Sequence, residues 1–167
     1  MSQIQVKQII SSFCKILDYF GFSPVSAEEL RLAKFNKQDV AEKMWKLLFE
    51  LINYTKTSKK TLDSDFINET FYQQPPDKTI QFMKKEFIKY GYPNEDFFNL
   101  NESSYNDKNA SREVLVAVGW FFFTFELIEL FDKNSATVCE QEYFKDIDDG
   151  VKKFSITCNM LLYLFIS

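Results

Sequence analysis

Three neighbouring aspartates, Asp146, Asp148 and Asp149, are the residues of this chain whose type and spacing come closest to a metal site. Carboxylate oxygens suit hard cations such as Ca²⁺, but a calcium loop also requires oxygen ligands at alternating positions, a glycine in mid-loop and a distal glutamate. Here Gly150 and Val151 follow the aspartates directly, so the pattern fails. We interpret the segment as a solvated acidic turn and predict no metal site.

The cysteines are the next candidates for chemistry, and they are Cys14, Cys139 and Cys158. No pair has the Cys-x-x-Cys spacing, and the chain has no histidine to complete a zinc site or to act as a general base. Only a helix N-terminus or a lysine could activate Cys14 or Cys139 as a nucleophile. We expect small buried apolar thiols in a reducing compartment.

Catalysis by other means has little support in the sequence. The chain contains 4 glycines and no Gly-rich phosphate-binding motif. We therefore predict no catalytic, cofactor-binding or metal-binding residue and no cofactor, and we expect a protein that is not an enzyme.

Length and composition indicate one folded domain. The 167 residues are 46% hydrophobic and 17% aromatic, with 19 phenylalanines, which excludes disorder and low complexity. The longest apolar stretches, 114–125 and 156–166, are shorter than the roughly 20 residues of a bilayer span, and the N-terminus lacks a signal-peptide core. The sequence predicts a cytoplasmic protein that does not contact membranes.

Charge is distributed unevenly. Residues 1–92 carry 14 basic and 11 acidic residues, a net charge of +3, whereas residues 93–167 carry 6 and 13, a net charge of −7. The short basic runs 56–60 and 84–85 are interpreted as solvated helix ends or loop. Because phosphate binding needs several clustered cations, nucleic acid is not an expected partner.

Apolar spacing of three and four residues predicts helices nearly throughout. Ser26 and Glu29 form a capping-box pattern, Gly21 and Gly91 stand at helix ends, and Asp77 and Ser111 are predicted N-caps. The first predicted helix ends before 21, and the capping box opens a short second helix that runs through 30–35. The other predicted segments are 38–54, a weak helix at 61–72, 78–90, a short turn at 95–100, 112–131 as the central buried helix, and 151–166.

The predicted fold is all-α, a single compact domain of about six or seven helices. We assign residues 1–133 to the helical domain, and residues 134–167 to an acidic segment followed by an apolar C-terminal helix that packs on the domain or on a partner.

Aromatic and apolar side chains supply the candidates for a partner surface, because such residues anchor protein interfaces. They are Tyr92, Phe97 and Phe98 around a polar loop, and Leu161 and Phe165 in the C-terminal helix. Simple core packing is the alternative for each. If the C-terminal helix is exposed, the chain is instead a structural subunit that coassembles with other proteins through its aromatic surfaces and this helix.

Three ordered blocks carry a resemblance to a known family. They are Leu30–Phe35 with Met44–Phe49, then Tyr90–Pro93 with Phe97 and Leu100, and finally Ser111–Ala117 leading to Trp120. Their order and spacing resemble the N-terminal domain of the tubulin epsilon and delta complex protein 1 family. The first block and the Gly-Tyr-Pro turn are also similar to divergent calponin-homology domains, which are helical and associate with microtubules.

The resemblance implies a non-enzymatic factor of the centriole, basal body or cilium, within the cytoskeleton. Its expected partners are delta- and epsilon-tubulin or other cytoskeletal proteins, together with other subunits of a multiprotein complex. At the matched positions, Phe35, Trp45 and Trp120 are expected to anchor the early helices on the central one. Lys34 and Arg112 are charged residues within apolar blocks, so we name them as partner contacts, with a solvated or ion-paired role as the alternative.

Overall fold

The computed structural model describes residues 3–57 and 62–127, and these form seven α-helices and one 3-10 turn without any strand. The prediction of an all-α domain is confirmed. The helices are α1 (Gln3–Tyr19), α2 (Ala27–Lys34), α3 (Ala41–Lys56), α4 (Ser64–Gln73), α5 (Pro76–Tyr90), α6 (Glu95–Phe98) and α7 (Ala110–Thr124), with the 3-10 turn at Gln38–Val40 before α3.

Helices α3 and α7 pack against each other at the centre of one hydrophobic core. In α7, Val114, Leu115 and Val118 are completely buried, and α3 contributes Trp45 and Leu48 to the same core. The central position predicted for α7 is therefore confirmed. Its burial is incomplete, because Phe123 in the last turn remains exposed.

Two helix ends follow the local signals in the sequence. Ser26 and Glu29 form the predicted capping box: the Glu29 amide donates to Ser26 Oγ at 3.2 Å, and the Ser26 amide donates to Glu29 Oε2 at 2.7 Å. Gly21 follows α1 and has a left-handed φ of +82°. Beside it, the Leu62 amide donates to the Phe20 carbonyl at 3.0 Å. A Cβ at position 21 would lie 2.9 Å from the Leu62 carbonyl oxygen, so the contact requires glycine.

Several predicted helix boundaries are wrong, most clearly those of α5 and α7. Helix α5 begins at Pro76 rather than after Asp77, because a proline in the first turn loses no hydrogen bond there. Helix α7 begins at Ala110, before Ser111, and ends at Thr124 rather than at 131. Beyond that end, Glu126 takes a left-handed φ of +47°, which breaks the helical path.

The prediction that the basic run 84–85 is solvated is wrong for Lys84, which is buried. Its ammonium group donates to the carbonyl oxygens of Phe98 at 2.8 Å and Leu100 at 2.6 Å, and to Glu102 Oε1 at 3.1 Å. The carbonyls at the end of α6 would otherwise lack partners. Lys84 therefore ties α5 to the chain that follows α6.

A second ionic contact joins α3 to α5. Lys56 and Lys89 bind Glu86 at 2.9 and 2.7 Å, and the Tyr90 hydroxyl donates to the same carboxylate at 3.2 Å. Burial acts to raise the pKa of Glu86, but the two lysines outweigh it and lower the pKa to about 2. The carboxylate is therefore ionised at neutral pH.

Candidate interaction surface

The end of α2 and the start of α7 meet at Asn36, which has a left-handed φ of +56°. Its Oδ1 accepts from Ser111 Oγ at 3.2 Å and from the Arg112 amide at 3.4 Å, and its Nδ2 donates to Asn109 Oδ1 at 3.3 Å. Asn109, at the N-cap position of α7, makes no side-chain capping bond of its own. Asn36 therefore caps α7 from a distant part of the chain.

Ser111, the predicted N-cap, instead lies inside the first turn of α7 and is fully buried. It donates its hydroxyl proton to Asn36 rather than accepting from its own helix. Gln38 adds a further hydrogen bond across the same junction, from Nε2 to the Asn106 carbonyl. The chain around residue 36 is thus held against residues 106–112.

Charged residues crowd this junction. We define the basic face as Arg31, Lys34, Phe35, Lys37, Lys108 and Arg112, which lie on the last turn of α2, beside Asn36, or at the start of α7. Within residues 3–57 and 62–127, none of the four cations Lys34, Lys37, Lys108 and Arg112 forms an ion pair. The face thus contains five basic residues, one of them paired with Glu28, on a chain whose net charge is −4.

Two acidic groups beside the basic face are engaged with other groups. Glu28 pairs with Arg31 through two hydrogen bonds of 2.8 and 2.6 Å. Asp107 uses both carboxylate oxygens to accept backbone amides, from Asn109 at 2.9 Å and from Asn101 at 3.3 Å. Within residues 3–57 and 62–127, neither carboxylate forms an ion pair with Lys34, Lys37, Lys108 or Arg112.

Phe35 belongs to this face and is 61% exposed, so the prediction that it anchors the early helices is wrong. The buried residues of α2 are Leu30 and Ala33. At about 100° per residue, Phe35 lies about 140° and about 200° around the helix from them, on the opposite side. The Arg31 guanidinium carbon stands 5.7 Å from its ring centroid, close enough for a cation–π contact.

Tyr92 and Phe97, two predicted partner contacts, are buried in the core. The ring of Phe97 lies 5.6 Å from Trp45, and the ring of Tyr92 lies 4.8 Å from Trp120. Tyr92 and Phe97 also contact each other at 5.4 Å, so one aromatic chain links the two tryptophans. This placement favours the core-packing alternative and brings the three sequence blocks together.

The remaining predicted contacts have mixed positions. Phe98 is half-buried against Phe97 at 5.4 Å. Lys34 is half-buried and Arg112 is exposed, and both belong to the basic face. Leu161 and Phe165 lie outside the described residues, as do the predicted C-terminal helix, the aspartates of 146–149, Cys139 and Cys158.

One buried carboxylate was missed by the sequence analysis. Glu50 in α3 is fully buried, and its partners Ser23 and Lys46 line a cleft of about 470 Å³. The Ser23 amide and hydroxyl donate to it at 3.0 and 2.5 Å, and Lys46 Nζ lies 3.9 Å away. Burial raises the pKa of Glu50 against the opposing effect of Ser23 and Lys46. A glutamate between the apolar residues 49 and 51 gave no signal that it would face inward.

The described residues contain no group of three His, Cys, Asp or Glu side chains that could hold a metal ion. Burial, with a smaller contribution from Glu29, raises the pKa of Cys14 to about 11, so its thiol is protonated and unreactive at neutral pH. Among the same residues, no helix combines the length and the apolar character that crossing a bilayer requires. The basic face is the strongest candidate site.

In comparisons with known proteins, no family model, no curated protein and no solved structure matches this chain.

Proposed function

We propose that this chain is a non-enzymatic protein-interaction domain of a centriolar, basal-body or axonemal factor, and that it binds a tubulin-family protein. The proposal starts from the three sequence blocks that resemble the tubulin epsilon and delta complex protein 1 family, whose members associate with delta- and epsilon-tubulin. The same blocks suggest a divergent calponin-homology fold.

The basic face is the observation that carries the proposal. It contains five basic residues and the exposed ring of Phe35, on a chain that is acidic overall. Such a face attracts an acidic protein surface, of the kind expected for tubulin, and repels like-charged partners. Aromatic and arginine side chains are also the residue types that most often contribute large binding energies.

The position of the resembling blocks supports the same proposal. Asn36, which directly follows the first segment of the first block, binds Ser111 of the third block, and the second block joins both through Phe97 and Tyr92. Lys34 and Arg112, the charged residues of the first and third blocks, consequently belong to one face. A partner that binds this face would contact residues from both blocks.

A capture experiment tests the function. The immobilised full chain is incubated with purified delta-, epsilon- or alpha/beta-tubulin at about 50 and about 150 mM salt, because the higher concentration screens exposed charges more strongly. We expect capture of at least one tubulin-family protein, and weaker capture at the higher salt. Failure of the wild-type chain to capture any of them at either concentration would overturn the proposal.

Charge reversal provides the matched control. Lys34→Glu with Arg112→Glu should abolish capture, whereas Lys78→Glu with Lys85→Glu should leave it intact. Lys78 and Lys85 are exposed lysines of α5, outside the basic face. Equal loss in both pairs would show that capture depends on total charge alone and would contradict the role of the face.

A further inference from the structure

Phe35 differs from the other large exposed apolar residues of the described chain, which are Phe66, Tyr72, Ile88 and Phe123. Phe66 is equally exposed, at 62%, but it lies in α4 near the acidic residues Asp65 and Glu69. Phe35 instead has Lys34 directly before it and Lys37 two residues later. An exposed ring bordered by unpaired cations can contact an apolar group and acidic groups at the same time.

The basic face has a limited extent. Asp39 stands two residues after Lys37, and Glu113 follows Arg112, where it accepts a hydrogen bond from Asn94 at 2.9 Å. These carboxylates border the cations and would repel a long polyanion that ran past them. The face therefore suits a short acidic segment better than the continuous phosphate backbone of a nucleic acid.

We propose that the basic face binds an extended acidic segment of a partner protein, one that places an apolar side chain on Phe35. Carboxylates of the segment pair with Lys34, Lys37, Lys108 and Arg112, and the apolar side chain covers the Phe35 ring opposite Arg31. The inference rests on the proposed function for the class of partner, and it adds the chemistry that the partner must present.

Rigidity of the face supports this chemistry. The hydrogen bonds of Asn36 hold the α2 end and the α7 start together, so the backbones that carry these cations keep their relative positions. The Glu28–Arg31 pair holds the guanidinium beside the Phe35 ring. A preorganised surface loses less entropy on binding a flexible segment than a mobile one would.

Synthetic peptides test the inference separately from tubulin. The first is a run of glutamates with one central phenylalanine, the second has alanine in place of that phenylalanine, and a single-stranded oligonucleotide of similar length is the third ligand. Each carries a fluorophore, and its affinity for the full chain is measured by anisotropy. We expect the phenylalanine peptide to bind about fivefold or more tightly than the alanine peptide, and the oligonucleotide to bind weakest.

Two variants and two matched controls complete the design. Phe35→Ala should weaken the phenylalanine peptide about fivefold and leave the alanine peptide nearly unchanged, whereas Phe66→Ala, an equally exposed control, should affect neither. Lys37→Glu with Arg112→Glu should weaken both peptides about tenfold, and Lys78→Glu with Lys85→Glu should weaken them far less. All the substituted residues are exposed, so the variants should remain folded, as circular dichroism would verify.

The outcomes separate the two proposals. Peptide binding that depends on Phe35 and the cations, without capture of any tubulin, would support the acidic-segment site and overturn the tubulin function. Capture of tubulin that is unaffected by Phe35→Ala and by Lys37→Glu with Arg112→Glu would support the tubulin function and overturn the acidic-segment site. Absence of peptide binding, equal effects in the control variants, or tighter binding of the oligonucleotide would each overturn the acidic-segment site.

Discussion

Asn36 offers a direct test of the junction that supports the basic face. Replacing it with alanine removes three hydrogen bonds, of 3.2, 3.3 and 3.4 Å, and leaves the buried Ser111 hydroxyl without its acceptor. A net hydrogen bond contributes about 1 kcal/mol, but two of these are long, so we assign about 2 kcal/mol to the three together. A left-handed φ costs alanine about 1 kcal/mol more.

We therefore expect Asn36→Ala to lower the free energy of unfolding by about 3 kcal/mol. Asn36→Gly loses the same hydrogen bonds without the backbone strain, so its loss should be about 2 kcal/mol. Asn36→Asp keeps an acceptor for Ser111 and Arg112 and places a negative charge at the start of α7, so it should remain within about 1 kcal/mol of wild type.

Urea unfolding, followed by circular dichroism and by the fluorescence of Trp45 and Trp120, measures these differences at neutral pH. We expect stability to decrease in the order Asn36→Asp, Asn36→Gly, Asn36→Ala. The glycine variant loses the hydrogen bonds, and the alanine variant adds the backbone strain. An alanine variant within about 0.5 kcal/mol of wild type would refute the capping role of Asn36. Glycine and alanine variants of equal stability would refute the contribution of backbone strain.

Three other side chains yield predictions for stability. Because the pKa of Glu86 falls from 4.5 to about 2 on folding, wild-type stability should decline as pH drops from 4.5 through 2. Glu86→Gln should be about 1 kcal/mol less stable at pH 7, a small value because Lys56 and Lys89 are 40% and 66% exposed. Its decline in acid unfolding curves should be smaller than that of wild type, and an unchanged decline would contradict the assignment. Lys84→Met should lower the free energy of unfolding in urea by about 3 kcal/mol, because it leaves the carbonyl oxygens of Phe98 and Leu100 without this donor. A loss below about 1 kcal/mol would argue against that role. Folding raises the pKa of Glu50 by burial, so its ionisation disfavours the folded state and stability is lost as pH rises from 4.5 through the raised pKa. Glu50→Gln should remove this loss and be at least as stable as wild type at pH 7, and a variant clearly less stable there would show that the ionised form is favourable.

Local signals account for the parts of the fold that were predicted correctly. The helical spacing of apolar residues, the Ser26–Glu29 capping box and the glycines at 21 and 91 each act over a few residues of chain. Their energetics depend on backbone dihedral angles and on hydrogen bonds between near neighbours, which the sequence specifies directly. Helix existence was therefore more predictable than the interaction surface.

Aromatic abundance limited what could be predicted about the site. With 19 phenylalanines, helical spacing does not distinguish a ring that fills the core from one that remains outside. Phe97 and Tyr92 were candidates for the surface and lie in the core, whereas Phe35 was expected in the core and lies on the surface. Each position depends on which helices meet, and not on the residue type.

The sequence by itself determined that this chain forms helices, where several of them stop, and that its charge is uneven, because these properties follow from composition and from short-range bonding. Only the tertiary structure decided that Asn36 caps a helix that begins 74 residues later, that Lys84 is buried, and that cations from α2 and α7 share one face. These features require contacts between segments distant in sequence. Such contacts arise from the packing of α2, α3 and α7 around one core, which no local pattern encodes.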